Sequence, residues 1–487
     1  MGILKRITAL AICAAIMCTA VNTVFAENNN GGDTVNIKID GSKANTSENF
    51  LYRGQGMISC NGSSRLLLDY KEKNPESYSK ILEHLYGKNG LKFTHFKVEM
   101  GADVNTSSGT EPATMRYEDE KADVTRGAGF QLAADIKKIN PDVTLDMLWW
   151  SEPRWVTDAK DVYAARYKWY KQTLDAAYET YGLAFDYVSA NQNERTVDTD
   201  WIKYLSKALK SEKDCPYDYS EIKIVAADEC GTWGISRLMM KNKELCDAVD
   251  VIGSHYTSFA DDTTKKLAEE YGKELWFSEG SSPMTYAQSA YRFDEGNSGL
   301  TGLNGVLDIA NRMITMVSGG YMTQYEYQPA VAGYYDGVTY CHKQLINACT
   351  PWNGYYTLDS GYYMNLHFSQ FMDKGWSFIF DACYGDAKVG GDGHALVDAK
   401  YSYITACSAE GDYSTIIMFL LMRELNFMQE QAMLFLRKTL RKQTLQKRIM
   451  KYMYGKQEVL MRVRSTMPII SRRLRQLLPK TASIRLR

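Results

Sequence analysis

Two glutamates stand out by where they sit. Glu194 follows Asn191-Gln192-Asn193 at the end of one apolar run, and Glu279 ends another, Leu275-Trp276-Phe277-Ser278. Two carboxylates facing one another across a cleft can cleave a glycosidic bond. One protonates the leaving oxygen while the other attacks or assists at the sugar carbon. Their surroundings must then push the two pKa values apart, so that one is ionised while the other holds its proton. The amide of Asn193 beside Glu194 suits a sugar hydroxyl. Trp149-Trp150 offer flat faces for stacking on a pyranose, and His255-Tyr256 could hydrogen-bond the nucleophile. Singly, each of these is ordinary: a Trp pair is more often core, and a histidine after a strand is as often structural. There is no G-x-S-x-G elbow to support a serine nucleophile. With no C-x-x-C or H-E-x-x-H, no metal site is expected.

Such a pair needs elements that place both carboxylates at one mouth. Short apolar segments recur at 51–56, 93–99, 143–149, 185–190, 222–227, 249–254, 274–278 and 321–327, with helical stretches between them. In the clearest helix Tyr163, Tyr167, Tyr170, Leu174, Ala177 and Tyr181 fall three or four apart and share a face. Strands alternating with helices imply parallel pairing. Eight of them fit an α/β (β/α)8 TIM barrel, whose chemistry sits at the C-terminal strand ends. An open doubly wound sheet is the rival, but it lacks the expected G-x-G-x-x-G. Residues 51–350 are read as the barrel. Residues 376–381, 401–406 and 413–418 read as antiparallel strands of an attached, incomplete β-sandwich over 351–418. Residues 27–50, with the alternating Val35–Asp40, are expected to supply a sandwich strand.

The chain has 487 residues, 45% hydrophobic and 24% charged, with a net charge of −1. Those are globular values that exclude a disordered or collagen-like chain, and the charge gives no reason to expect nucleic acid. Lys5 and Arg6, the apolar run 7–21 and Val24-Phe25-Ala26 form a secretory signal peptide over 1–26. Export is expected, without stable membrane insertion. Cleavage there removes Cys13 and Cys18, and the cysteines that remain are too sparse for a disulfide scaffold.

Wider stretches carry a resemblance. Gly54-Gln55-Gly56, 63–70, Lys97-Val98-Glu99-Met100-Gly101-Ala102-Asp103, Gly109-Thr110-Glu111-Pro112, Asn193-Glu194-Arg195, 249–256, 275–279 and Pro351-Trp352-Asn353-Gly354-Tyr355 occur in order. Together they resemble the galactocerebrosidase family, glycoside hydrolase family 59, from about 51 to 418. The resemblance implies a retaining β-galactosidase acting on galactosylceramide and related β-galactosides without a cofactor. Glu194 would be the acid/base and Glu279 the nucleophile, with Asn193, Trp150, Tyr340 and Ser107 as sugar-binding residues. Ser107 stands where the family has a threonine, and Gln192 where it usually has a tryptophan. A related enzyme acting on β-glucosides or β-1,6-galactan is the nearest rival, and a carbohydrate-binding protein that has lost catalysis is another.

Beyond Met418 the likeness stops. Residues 419–487 carry 17 of the 57 basic side chains but three of the 58 acidic ones, leaving a formal −15 on the rest. A basic tail of this kind could bind an anionic surface. The coincidence of the compositional break with the end of the likeness favours a change of reading frame. The arginine with which the family reaches the sugar is not recognisable, so weakened activity and exposed sandwich edges are expected.

Overall fold

The computed structural model describes residues 35–106, 109–257, 259–280, 303–333, 344–385, 388–389, 395–396, 401–411, 413–420, 459–461, 469–475 and 482–486. Two units are distinguished. The smaller is built on a three-stranded sheet in the order Val35–Ile39, Ala482–Leu486, Val459–Met461. Val35–Ile39 therefore pairs there and not with the sheet that follows the barrel, which corrects its expected place. In the larger unit residues 45–52 do run along that later sheet, where Asn45 and Tyr52 donate backbone N–H groups to Phe378 and Trp376.

The larger unit is organised around a closed barrel of parallel strands. They are β1 (Gly54–Ile58), β2 (His95–Glu99), β3 (Thr144–Trp149), β4 (Tyr187–Gln192), β5 (Lys223–Cys230), β6 (Val251–His255), β7 (Glu274–Gly280) and β8 (Gln324–Tyr327). All eight fall on the expected apolar runs, and β8 closes on β1 with Gln324 opposite Gly54. The strands are buried on both faces, by helices outside and by their neighbours within, which keeps most of their positions apolar.

The helix Val162–Tyr181 shows how local signals fix one crossover. Asp161 accepts the N–H of Ala164 at its start, and Gly182, at φ +70°, ends it in a left-handed turn. Its buried face runs through Trp169, Tyr170, Thr173, Leu174 and Ala177. Tyr163, Tyr167 and Tyr181 pack at the margin of the core.

Inside the barrel, Tyr187, Val225, Val251 and Trp276 form a small apolar cluster of their own. After the barrel come the hairpin Ile346–Thr350 with Tyr355–Leu358 and the helix Ser360–Ser369. Tyr401–Cys407 then pairs antiparallel with Tyr413–Leu420 and with Ser377–Phe378, and Ile469–Arg475 adds to the far side of Tyr413–Leu420. Among the described residues this larger unit thus holds a four-stranded antiparallel sheet after the barrel. The strand expected at 376–381 is shorter, because the chain turns at Phe380–Ala382. No described helix is long and apolar enough to cross a membrane.

Candidate active site

Strict alternation along β7 would turn Glu279 out of the barrel, since Trp276 and Ser278 already face in. A bulge prevents this. Opposite β6 one extra residue is inserted between Phe277 and Glu279, and the change of phase brings the Glu279 carboxylate to the barrel mouth. A matching bulge on β5 lies between Ala227 and Glu229. It turns Asp228 inward and Glu229 outward, where Glu229 accepts the N–H of Ile235 at 2.8 Å near the start of the helix Gly234–Lys241. Three successive strand ends carry non-glycine residues in the left-handed region: Glu194 at φ +58°, Asp228 at +52° and Tyr256 at +54°. Such backbone costs about 1–3 kcal/mol per residue and persists only where the surroundings enforce it.

The result is a tight constellation. Oxygens of Glu194 and Glu279 and a ring nitrogen of His255 all lie within 4.8 Å of one another. Glu279 is buried, while Glu194 is exposed to solvent on one side. Tyr256 donates its hydroxyl to Glu279 Oε1 at 2.7 Å, and Asn193 donates Nδ2 to Oε2 at 3.2 Å. His255 Nδ1 is 2.9 Å from Glu194 Oε1 and 3.6 Å from Glu279 Oε2. Burial pushes the Glu279 carboxyl above the ordinary glutamate range, while charged His255, Tyr256 and Asn193 favour its ionised form. For His255 burial opposes the charge. The carboxylates of Glu279, Asp228 and Glu194 outweigh it and push the pKa up to about 10.

Beneath this pair lies a buried charged floor. Lys97 of β2 has its ammonium 3.1 Å from Glu326, 3.5 Å from Asp146 and 3.6 Å from Asp228, all essentially without solvent contact. Asp228 also accepts the Ser278 hydroxyl at 2.5 Å. Burial raises Asp228, but Lys97 and His255 overcome it and hold the carboxyl well below its usual range. Burial wins at Asp146, pushed up to about 6, and at Glu326, pushed up to about 8, each partly offset by Lys97. Gly253 of β6 makes room for this floor. A Cβ there would stand 2.6 Å from Ser278 Oγ and 2.7 Å from Asp228 Oδ1.

The two tryptophans part company. Trp149 is core: it lies 4% exposed, edge-on to Trp169 and under the Arg166 guanidinium at 5.2 Å. Arg166 is anchored in turn by both oxygens of Glu152. Trp150 is half-buried beyond the end of β3, and Gln192 donates Nε2 to its carbonyl at 2.8 Å. Glu194, Glu279, Asn193, His255 and Tyr256 are thus brought together. Ser107 and Tyr340 lie outside the described residues. The sequence reading missed Lys97 and Asp228. A lysine inside the apolar run of β2 and an acid directly after Val225-Ala226-Ala227 were the available signals.

A closed (β/α)8 barrel with glutamates at the ends of β4 and β7 belongs to the class of barrel glycoside hydrolases. The sequence pattern of glycosyl hydrolase family 59 matches residues 52–370, and the chain belongs to that family. The galactocerebrosidases of Macaca mulatta and Homo sapiens are each 33% identical over 355 residues, 71% of this chain and 47% of their own length. That of Danio rerio is 31% identical over 360 residues, 72% of this chain and 49% of its own. The chain therefore spans about half the length of the curated relatives it matches. Among solved structures, SrfJ from Salmonella typhimurium aligns over 81% of this chain and 87% of its own, with a TM-score of 0.61 at 15% identity. The catalytic domain of the GH30 xylanase C from Talaromyces cellulolyticus covers 76% of this chain and 84% of its own, at 0.53 and 12%. Those identities speak to the barrel fold alone.

Proposed function

We propose that this protein is an exported, retaining β-galactosidase acting on galactosylceramide-like β-galactosides through a covalent galactosyl-enzyme intermediate. The observation that carries the reading is the spacing of Glu194 and Glu279, whose oxygens approach within 4.8 Å. Retaining pairs stand about 5–5.5 Å apart, whereas inverting pairs stand about 6.5–9.5 Å apart to admit a water. In the first step Glu194 gives its proton to the glycosidic oxygen as the C1–O bond breaks, and the Glu279 carboxylate bonds to C1. In the second, water attacks C1, its proton passes to Glu194, and Glu279 leaves as a carboxylate. Tyr256 and Asn193 hold Glu279 for in-line attack, and Asn193 and Trp150 line the sugar. The resemblance adds Ser107 and Tyr340 to that set. The galactose preference rests on the name shared by the relatives, and export rests on the sequence of residues 1–26.

The test is hydrolysis of 4-nitrophenyl β-galactoside and β-glucoside, followed by proton NMR of the released sugar. Galactoside cleavage giving the β-anomer first is the expected result. Preferred cleavage of the glucoside would move the chain to a neighbouring specificity, and initial release of the α-anomer would refute retention.

A further inference from the structure

Between the two glutamates sits a third ionisable group that an acid/base-and-nucleophile scheme leaves without a role. His255 is fully buried, and both of its ring nitrogens face carboxylates. Nδ1 lies within reach of Glu194 and Glu279, and Nε2 is 3.5 Å from Asp228 Oδ1. A neutral imidazole has one N–H and would direct a lone pair at a carboxylate on its other side, whereas the imidazolium donates from both nitrogens. The ionisable groups around the ring are Glu194 after β4, Asp228 and Cys230 on β5, Tyr256 beside it and Glu279 on β7. Lys97 lies one step further, behind Asp228.

We propose that His255 is a permanently protonated positioning residue shared by the two glutamates, its charge facing both, with the Asp228 carboxylate, itself held by Lys97, beneath its ring. This rests on the proposed roles of Glu194 and Glu279 and adds the device that lets their protonation order reverse. Before reaction, Glu279 is anionic, His255 cationic and Glu194 neutral. After the sugar is bonded to Glu279, that residue is a neutral ester, and Glu194 must become anionic to activate water. The three groups carry zero net charge in both states. In the free protein Nδ1–H stands 2.9 Å from Glu194, where a neutral carboxyl still accepts it, and 3.6 Å from the Glu279 anion, so one cation faces both groups and a small tilt of the ring shifts its hydrogen bond between them. No other group must titrate between the two half-reactions.

Two measurements test this. The first is the pH dependence of covalent labelling by a 2-deoxy-2-fluoro-galactoside with a dinitrophenolate leaving group, which departs without acid assistance and so reports Glu279 ionisation alone. Removing the cation raises the Glu279 pKa, so His255→Gln should move the acidic limb up by about one unit or more. A limb that stays in place while the rate falls equally at every pH would reduce His255 to packing and overturn the proposal. The second measurement is a ring-nitrogen NMR titration of 15N-histidine-labelled full-length protein, practical because the chain has six histidines. His255 should remain doubly protonated at about pH 8, well above an ordinary histidine, and Asp228→Asn should bring its titration down in pH. A neutral His255 ring at about pH 7 would overturn the proposal whether or not the protein labels. A chain that accepts no sugar reagent but keeps a charged His255 would refute the galactosidase reading and leave the charge assignment standing.

Discussion

Replacing Lys97 by methionine removes a charge and very little volume, so its effect isolates the buried ion cluster. In the native protein one ammonium serves Glu326 at 3.1 Å, Asp146 at 3.5 Å and Asp228 at 3.6 Å, with no water contact at any of them. Taking away one partner of a buried ion pair costs about 3–5 kcal/mol, because the remaining charge is left uncompensated. At about 2 °C per kcal/mol for a large domain, the melting temperature should fall by about 6–10 °C. The pH dependence separates electrostatics from lost packing. With Lys97 present, Asp146 and Glu326 already titrate at about 6 and about 8. A carboxyl whose folded pKa lies above its unfolded value stabilises the fold at low pH and loses that contribution as pH rises through the folded value. Without Lys97, Asp146 and Glu326 move further up, and Asp228 rises from its depressed value. The difference between native and Lys97→Met proteins should therefore be largest near about pH 8 and shrink as pH falls toward about 4, where Asp146 and Glu326 hold protons and only Asp228 stays ionised beside Lys97. Circular dichroism melts across that range decide it. An unchanged melting temperature, or a drop of equal size at every pH, would refute the description of the barrel floor as a charge cluster held by Lys97.

Other substitutions probe the remaining parts. Glu194→Gln should lower kcat/KM for a poor leaving group by about 10²–10⁴-fold, with a much smaller loss of kcat/KM for dinitrophenyl galactoside, whose kcat still falls because the second step lacks its base, compared by steady-state kinetics. Tyr256→Phe removes a charge-assisted hydrogen bond to Glu279 worth about 1.5–3 kcal/mol; it should raise the acidic limb of the kcat/KM profile and lower the melting temperature by about 3–6 °C. Gly253→Ala forces a methyl against Ser278 and Asp228 and should cost about 1–3 kcal/mol in a denaturant titration. Arg166→Met leaves Glu152 unpaired and takes the guanidinium from the faces of Trp149 and Trp201. A loss of about 3–5 kcal/mol on the same titration is expected.

The barrel strands were legible because burial on both faces writes each one as an apolar run, bounded by turns and separated by helical periodicity. The same logic located Glu194 and Glu279, each the first strongly polar residue after such a run or its amide-rich extension. It could not supply the bulges on β5 and β7, because an inserted residue leaves no mark in an apolar pattern. Asp228 consequently read as one acid among many, although it faces inward and ties Lys97 to His255. Lys97 was hidden for a related reason. A single lysine in a strand suggests an exposed edge unless its counter-charges, here on β3, β5 and β8, are known to converge. Trp149 and Trp150 were indistinguishable as neighbours until the fold put Arg166 over one of them. Alternation marked Val35–Ile39 as a strand, but alternation does not name a partner, and its partner is Ala482–Leu486.

The central claim is that Glu279 attacks a galactose carbon with Glu194 as its acid/base partner. Peptide mass spectrometry after incubation with an activated 2-deoxy-2-fluoro-galactoside tests it most directly, since the slow second step leaves the intermediate to be seen. One sugar on Glu279, and none in Glu279→Gln, is the predicted result. A label on another residue, or labelling by the gluco-configured reagent alone, would contradict the account.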